Sequence, residues 1–444
     1  MRIKIYSLVI VLCLIFASSF TLSSCVSLSS GGVTDVEVNT AGELVVFYSN
    51  GETQNLGVVS GVNGADGSNG SGTSSGATSQ IVINGENNIP YASAKGLMSA
   101  VSIVCKFQAT VQQGGWMPGT GSTSKEYTSS GSGVIYQIDK SAGDAFIITN
   151  YHVVYNASSN TTNGISSDIS VYLYGSEVEE KAIKATYVGG SLYYDIAVLR
   201  IENSDVLKKS NATQVEISDS DKVCVGNSAL AIGNAQGEGV SVSLGIVSVD
   251  SEYITMMAAD EKTQVSFRVM RIDTAVNSGN SGGGLFDDKG CLIGIVNAKI
   301  VEDGVENIGY AIPSNVAVAI ANNIIDYCYG TTVERVQRAF LGITLNATDS
   351  RAVFDSQTGT TVIKETVLVD EISNNSLADG VFQKGDILVS ATFKEKTIEI
   401  FRQYHIIDMM LDVRAGDTVT INIIRGGEEK SVNITITENC LTAY

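Results

Sequence analysis

Three separate stretches of the chain carry a histidine, an aspartate and a serine that could together perform nucleophilic chemistry. His152 lies in IITNYHVVYN, Asp195 in YYDIAVLRIE and Ser281 in NSGNSGGGLF. A serine hydroxyl attacks a carbonyl carbon only when an adjacent base takes its proton, and imidazole suits this role because its ordinary pKa is near neutrality. A buried carboxylate can hold the other ring nitrogen and stabilise the imidazolium. We therefore predict His152 as the general base, Asp195 as its orienting acid and Ser281 as the nucleophile.

The glycines around Ser281 predict where the negative charge of the reaction intermediate is held. A tetrahedral intermediate carries an oxyanion, which backbone N–H groups stabilise when they converge on it. Gly279 can turn without a Cβ clash, so the amides of Gly279 and Ser281 can meet. Each stretch alone could be structural, as a hydrogen-bonded histidine at a strand end or a glycine turn. The prediction rests on all three occurring together in the order His, Asp, Ser.

The elements that must position these residues are mainly short strands. Apolar runs such as VSIVCKFQATV, AFIITN, IAVLRIE and CLIGIVNAKI alternate with clusters of Gly, Ser and Asn, and this pattern favours an all-β sandwich or barrel. A short helix is predicted in ASAKGLMSA, which begins at Ala92. A second helix is predicted at residues 314–328, where Val316, Ile320 and Ile324 share one face and would close the domain.

The pattern of predicted elements after residue 338 indicates a separate module. It contains strand-like runs, one amphipathic helix within FRQYHIIDMMLDV and a terminal hairpin that turns at Gly426 and Gly427. This combination predicts a compact α+β module.

The N-terminus has the pattern of an export signal. Arg2 and Lys4 precede an apolar run that ends at Phe16 and is too short to be a membrane span. The sequence TLSSC follows and resembles the lipobox of bacterial lipoproteins, which predicts removal of residues 1–24 and acylation of Cys25. A simple cleaved signal peptide is the alternative. Both predictions place the protein outside the cytoplasm.

Two segments separate this signal from the strand-rich region. Residues 25–60 alternate apolar and polar side chains and contain SNGE, which predicts a small β-hairpin or meander turned at Asn-Gly. Residues 61–91 are rich in Gly and Ser and predict a flexible linker.

The composition excludes some classes of partner. A formal net charge of -19 offers no basic face for phosphates, so no nucleic-acid partner is expected. Of the seven cysteines, the five that follow Cys25 form no CxxC pair, so neither a zinc ribbon nor a redox motif is indicated. These five are expected to be mostly buried free thiols.

Four motifs together resemble those of one protease family. ITNYHVV, YYDIAVL, GNSGGGLF and IGYAIPSN are similar to motifs of the trypsin-like serine proteases of the HtrA/DegP type. The resemblance implies a mainly β fold, with a chymotrypsin-like double six-stranded β-barrel at residues 92–330 and the site between the barrels. It also implies that Asn280 joins Gly279 and Ser281 in the oxyanion hole, that no metal or cofactor is needed, and that the chain forms a homotrimer. Tyr151 is a departure, because the family more usually has a small or amide residue before the histidine.

The module at residues 338–438 resembles the PDZ domain that follows the protease in this family. AFLGI matches the position of the PDZ loop that binds a terminal carboxylate. PDZ domains bind C-terminal peptides by adding them to a sheet edge. The resemblance implies a peptide site at Phe340, Leu341, Gly342, Ile343 and the helix residue His405. A packed helix residue is the alternative for His405.

The specificity pocket is expected to be apolar. Trypsin-type pockets that select Arg and Lys carry an aspartate six residues before the nucleophile, and here that residue is Ala275. The predicted walls are Ala275, Val276, Ile295, Val296, Asn297 and Ala298. They favour a small or medium apolar substrate residue with loose discrimination, which suits cleavage of unfolded chains with exposed apolar side chains.

The residues predict a lipid-anchored, extracytoplasmic serine endopeptidase, and the resemblance implies that it cleaves unfolded or misfolded polypeptides in envelope quality control. Two alternatives remain open. One is a non-catalytic chaperone or binding protein on the same fold, and the other is a processing protease with one dedicated target.

Overall fold

The computed structural model describes residues 33–38, 43–58, 89–112, 122–161, 163–176, 178–298, 308–356 and 358–444. The chain divides into two units between Ile81 and Val82. The predicted signal peptide with Cys25 and the predicted linker up to residue 88 lie outside the described residues. Among the described residues, none of the helices has both the length and the apolar composition that a membrane span requires.

The first unit contains a three-stranded antiparallel sheet in the order β1-β2-β3. Its strands are β1 (Val33–Val38), β2 (Glu43–Tyr48) and β3 (Thr53–Val58). The turn between β2 and β3 contains Gly51 at φ 84°, a backbone conformation that favours glycine. The meander predicted from SNGE is therefore confirmed.

The first described elements of the second unit are helix α1 (Ile89–Ser99), which includes residues 89–91 of the predicted linker, and a closed barrel of six strands in the order β4-β5-β6-β9-β8-β7. The strands of this first barrel are β4 (Ala100–Gln112), β5 (Ser122–Asp139), β6 (Asp144–Thr149), β7 (Asp168–Leu173), β8 (Ile183–Ser191) and β9 (Ile196–Ile201). One-turn helix α2 (Tyr151–Val154) follows β6, and helix α3 (Asp205–Lys209) follows β9.

A second closed barrel follows, in the order β10-β11-β12-β15-β14-β13. Its strands are β10 (Ser228–Gly233), β11 (Ser241–Met257), β12 (Gln264–Ile272), β13 (Gly284–Phe286), β14 (Leu292–Val296) and β15 (Gly309–Pro313). Helix α4 (Ser314–Cys328) then packs across the barrels. The predicted mainly β fold with two six-stranded barrels is confirmed, and α4 has the bounds that its periodicity predicts.

Strand alternation explains how the barrels fill and pack. Ile147 on β6 joins the interior cluster of the first barrel, whereas its neighbour Ile148 joins a cluster that also holds residues of the second barrel and of α4. Successive strand residues point to opposite faces, so a strand buried on both faces is apolar throughout. Close approach of α4 needs Gly189, where a Cβ would lie 2.9 Å from the Cys328 sulfur. Burial of a side chain such as Ile148 stabilises the fold by roughly 1.5–3 kcal/mol.

The C-terminal module is a sheet in the order β17-β18-β19-β21-β22, with β20 paired to β19 and a separate pair formed by β16 and β23. Its strands are β16 (Gln337–Ala339), β17 (Ile343–Asp355), β18 (Thr360–Ile372), β19 (Ile387–Phe393), β20 (Lys396–Glu399), β21 (Thr418–Arg425), β22 (Glu428–Thr435) and β23 (Leu441–Ala443). Helix α5 (Gln403–Met409) covers one side. The predicted hairpin turn at Gly426 and Gly427 is confirmed, and both residues have positive φ.

A buried polar contact joins the C-terminal module to the second barrel. Arg268 of β12 lies 2.9 Å from Asp221 and 3.2 Å from Asp408 of α5. Its guanidinium carbon lies 3.8 Å from the centre of the Tyr404 ring. Burial raises the pKa of Asp408 to about 6, against the opposing effect of Arg268. Burial likewise lowers the pKa of His405 to about 4.

Candidate active site

Barrel topology brings His152 and Asp195 together. His152 lies on α2 directly after β6, and Asp195 lies in the turn between β8 and β9. Strands β6 and β9 are antiparallel neighbours with Thr149 opposite Ala197, so the end of one strand meets the start of the other. His152 Nδ1 lies 2.6 Å from Asp195 Oδ2, and the His152 amide donates to Asp195 Oδ1 at 2.9 Å. The carboxylate therefore holds both the ring and the backbone of the predicted base.

The backbone of Asp195 is itself held in place. Its φ of 53° lies in the left-handed region, which is unfavourable for a residue other than glycine. The Asp195 carbonyl accepts from the Tyr151 amide at 3.1 Å and from Asn150 Nδ2 at 2.8 Å. These bonds offset a backbone strain of about 1–3 kcal/mol. They turn a buried carboxylate, only 5% exposed, toward the imidazole.

Asn297 is a member of this site that sequence reasoning placed elsewhere. Its Nδ2 donates to Asp195 Oδ2 at 2.8 Å, and the residue is fully buried. Its side chain is thus engaged by the carboxylate and does not form a pocket wall. The sequence does contain a signal for this role, because an amide side chain directly follows the apolar strand LIGIV. A buried polar side chain of this kind requires a hydrogen-bond partner.

Ser281 enters the site from the second barrel, in the turn before β13. The Ser132 amide of β5 donates to the Ser281 carbonyl at 2.8 Å. The next residue, Gly282, fits so tightly that a Cβ would lie 2.3 Å from Thr149 Oγ1 at the end of β6. These contacts fix the nucleophile's turn against the strand that leads to His152. Within the described residues, the Ser281 hydroxyl accepts from the Ala298 amide at 3.3 Å and has no hydrogen bond to His152. Such bonds are often long in ligand-free enzymes.

The turn before Ser281 leaves two amides available for an oxyanion. The carbonyl of Ser278 accepts from the Gln236 amide at 2.7 Å, and that of Gly279 accepts from Ser132 Oγ at 2.7 Å. Both carbonyls are therefore occupied. In the described part of the chain, the amides of Gly279 and Ser281 have no acceptor, so they can serve an incoming oxygen.

Asn280 differs from its two neighbours, because its amide donates to the Asn277 carbonyl at 3.0 Å. Of the three amides predicted for the oxyanion hole, those of Gly279 and Ser281 thus remain without an acceptor among the described residues, whereas that of Asn280 is engaged. A tight turn closed by its own hydrogen bond is the physical reason.

The residues predicted for the specificity pocket divide into two groups. Ile295 and Val296 are fully buried in hydrophobic clusters of the barrels, because β14 is covered on both faces. Their side chains do not face a pocket. Ala275 is exposed, while Val276 and Ala298 are half-buried. Of the predicted pocket residues, only these three retain solvent exposure.

The predicted peptide groove of the C-terminal module has a volume of about 370 Å³. Phe340, Leu341, Gly342 and Ile343 line it, as predicted from AFLGI. The carbonyls of Leu341 and Gly342 accept from Ala378 and Ser373, which turns them inward. Among the described residues, the amides of Phe340, Leu341 and Gly342 have no acceptor.

His405 does not line this groove. It stacks edge-on with Phe401 at 4.4 Å and lines a different cavity, between α5 and the second barrel, together with Asp221. Gln403, Ile406, Ile407 and Met410 are the α5-side residues that face the groove. The helix is covered on both sides, so its sequence period does not distinguish the two faces.

The arrangement can perform acyl transfer. A hydroxyl, an imidazole–carboxylate pair and two free amides are the groups required for attack on a carbonyl and for stabilising its oxyanion. Among the described residues, no His, Cys, Asp and Glu side chains gather as a metal-ligand set.

Comparisons with known proteins identify relatives of this chain. Residues 131–295 match a family model described as a trypsin-like peptidase domain. The Serine protease Do-like HtrA of Lactococcus lactis subsp. cremoris is 30% identical over 389 residues, which cover 84% of this chain and 88% of that protein. The Serine protease Do-like HtrA of Bacillus subtilis is 32% identical over 325 residues, covering 70% of this chain and 65% of that protein.

The Periplasmic serine endoprotease DegP of Escherichia coli is 30% identical over 329 residues, covering 74% of this chain and 61% of that protein. The chain thus spans less than two thirds of the length of two of these relatives. A solved structure titled HtrA-type protease AlgW with decapeptide is similar with a TM-score of 0.48 and 22% identity, covering 80% of this chain and 98% of that one.

Proposed function

The chain belongs to the HtrA family of trypsin-like serine proteases, and from this premise we propose that it is an endopeptidase that hydrolyses peptide bonds of unfolded polypeptides outside the cytoplasm. The observation that carries the proposal is the contact of His152 Nδ1 with Asp195 Oδ2 at 2.6 Å, beside a turn that presents Ser281. The supporting arguments are the free amides of Gly279 and Ser281 and the family membership of the chain.

In the proposed reaction Ser281 Oγ attacks the carbonyl carbon of the substrate while His152 Nε2 takes the hydroxyl proton. Asp195 stabilises the imidazolium that forms. The amides of Gly279 and Ser281 donate to the oxyanion, and each donor of this kind is worth about 100- to 1000-fold in kcat. His152 then gives the proton to the leaving amine, and a water molecule releases the acyl group by the reverse sequence.

Labelling with a fluorophosphonate and turnover of casein test this proposal. We expect the full chain to be labelled and to degrade casein, because only an activated serine reacts with the probe. Ser281→Ala should abolish both, while Ser431→Ala, on the exposed hairpin strand β22, should change neither. Equal turnover by the wild type and Ser281→Ala would contradict the assignment and favour a binding protein on this fold.

We propose a small or medium apolar residue at the cleaved bond, met by Ala275, Val276 and Ala298. Small aliphatic walls discriminate by about 1–3 kcal/mol per methylene, so the preference should be loose. A peptide library read by mass spectrometry tests this. Cleavage confined to one narrow motif would instead favour a dedicated processing protease.

We propose that the C-terminal module is a PDZ domain whose groove binds the C-terminus of a peptide. The support is the pair of inward-turned carbonyls at Leu341 and Gly342, which leaves neighbouring amides for a terminal carboxylate. Gly342 has a φ of 79°, and a Cβ there would lie 2.1 Å from the Ser376 side chain. Peptides with a free carboxylate should bind more tightly than their amidated forms, and Gly342→Val should remove the difference.

The remaining parts of the proposal concern location and assembly. We propose that Cys25 carries a lipid that anchors the protein to a bacterial membrane, where it acts in envelope quality control. Labelling with a fatty-acid analogue should mark the wild type and not Cys25→Ala. We also propose a homotrimer, by analogy with the family. Light scattering coupled to gel filtration of residues 26–444 should give three chains per particle.

A further inference from the structure

A recess walled by tyrosines lies against the two loops that carry His152 and Asp195. Tyr151, the residue before His152, forms part of one wall, and Leu192 and Tyr193, which precede Asp195, form part of another. Its volume is about 730 Å³, within the range of sites that hold ligands. No part of the proposed reaction uses this recess.

The recess is built from rings that pack in fixed positions. The Tyr151 and Tyr155 rings stack with centres 5.2 Å apart, and the Tyr187 ring meets Tyr151 edge-on at 6.5 Å. Two glycines allow this arrangement. A Cβ on Gly190 would lie 2.7 Å from the Tyr151 ring, and one on Gly164 would lie 2.4 Å from the Tyr155 ring. The walls are therefore preorganised before any ligand arrives.

Two of the tyrosine hydroxyls in this recess can still form hydrogen bonds. In the described part of the chain, the hydroxyls of Tyr151 and Tyr155 have no partner, although both rings are half-buried. Burial raises the pKa of Tyr151 to about 12, so its hydroxyl remains protonated at neutral pH. Partly buried polar groups without a protein partner are available to a ligand.

The charges around the recess favour a cation. Asp260 and Glu334 lie in its lining, with Glu261 next along the chain, and Arg335 is the one cation in that lining as described. Tyrosine faces carry negative electrostatic potential and attract ammonium and guanidinium groups. Glu334 and Arg335 are both exposed and have opposite charges, whereas Asp260 is half-buried and therefore less screened, so the lining keeps one net negative charge. The acidic excess of the whole chain acts in the same direction.

We propose that this tyrosine recess binds a positively charged side chain, arginine or lysine, of the polypeptide substrate, at a position away from the cleaved bond. The inference rests on the proposed peptidase function. It gives a role to Tyr151, the residue that departs from the family pattern. The substrate would then be an unfolded segment with an apolar residue at the cleaved bond and a basic residue nearby.

Matched peptides test the inference. A fluorogenic peptide with a fixed apolar cleavage site carries arginine, or its neutral isostere citrulline, at each flanking position in turn. We expect one position at which arginine lowers KM about fivefold with kcat unchanged, because contacts far from the reacting atoms stabilise substrate and transition state alike. The measured quantity is the ratio of KM for the arginine peptide to KM for the citrulline peptide at that position. Glu334→Gln and Tyr155→Leu should each bring this ratio toward one. Glu428→Gln and Tyr174→Leu, matched changes outside the recess, should leave the ratio as in the wild type.

Two results would overturn the inference. The first is a ratio near one at every position in the wild type while the peptides are cleaved. The second is a preference for arginine that survives both recess variants. Failure of the proposed function is distinguishable, because then no peptide is cleaved at all. Binding of the same peptide pairs to Ser281→Ala, measured by fluorescence anisotropy, decides the inference in that case as well, since it needs no turnover.

Discussion

Replacing Asn297 by leucine should lower kcat strongly while the protein remains folded. Leucine keeps the branched shape and the heavy-atom count of asparagine, although its methyl groups are larger, and it removes the Nδ2 donor that lies 2.8 Å from Asp195 Oδ2. Asp195 is almost fully buried, so no water readily replaces the lost donor. A hydrogen bond to a charged group contributes about 1.5–3 kcal/mol. The expected loss is therefore about 10- to 150-fold, since each 1.4 kcal/mol is a factor of ten.

The loss should fall on kcat and not on KM. Asn297 contacts the carboxylate that stabilises the imidazolium, and that charge develops only as the reaction proceeds. Asn297→Asp is a stricter variant, because it keeps the shape and places a second carboxylate beside Asp195. Its loss should exceed that of Asn297→Leu.

Steady-state cleavage of a fluorogenic peptide measures both parameters, and thermal unfolding checks that the variants fold. The matched control is Asn315→Leu, which removes another amide that donates to a carboxylate, Asp219 Oδ1 at 2.7 Å, away from the catalytic residues. The control should lose some stability and keep its kcat. A kcat within twofold of the wild type for both Asn297 variants would refute the reasoning, because the carboxylate would then need no support from this amide.

Three further predictions concern backbone, pH and thiols. Gly279→Ala should lower kcat at least about 100-fold in the same assay, because a Cβ would lie 2.2 Å from a facing carbonyl oxygen and would displace an oxyanion donor; wild-type kcat would contradict this. Burial raises the pKa of Asp408 to about 6, so this group stabilises the fold at low pH, and its contribution is lost as the pH rises through 6. Burial lowers the pKa of His405 to about 4, so this group stabilises the fold at neutral pH, and its contribution is lost as the pH falls toward 4. Urea unfolding at several pH values gives the free energy of unfolding of each variant minus that of the wild type. From about pH 4 to 6 this difference should rise for Asp408→Asn and fall for His405→Gln. A difference that does not change with pH for either variant would exclude this account. Burial raises the pKa of Cys105 and of Cys328 to about 12, so mass spectrometry should find both unmodified by a thiol reagent at pH 8 until the chain unfolds.

The sequence predicted those parts of the site that follow from strand ends. His152 and Asp195 each lie where an apolar strand meets polar residues, and antiparallel pairing of the two strands is enough to bring them together. The turn at Ser281 was predictable for a similar reason, since Gly279 needs positive φ. Asn280 was not predictable, because the turn's own hydrogen bond decides which amides remain free.

The predictions at residues 295–297 were wrong about where side chains point, for a reason that alternation alone does not reveal. The prediction took residues 295–298 together as a pocket wall, without separating the two faces of the strand. Strand β14 is buried on both faces because α4 and the barrels cover it. The outward face of such a strand is therefore core, and Asn297, the first polar residue after the strand, is the one that reaches the site.

Helix α5 shows the same limit in a sharper form. A helix with one covered side reveals it through apolar residues at a spacing of three and four. Here Ile406 and Met410 face the peptide groove, while His405 and Asp408, three residues apart, face Arg268 and Asp221 of the barrel. The second covered side is polar, so it reads as a solvated face in the sequence, yet His405 is only 6% exposed. When a neighbouring module buries one side of a helix through an ion pair, that side carries no periodic apolar residues. Only the arginine that pairs with it, more than a hundred residues earlier in the chain, indicates that this side is buried.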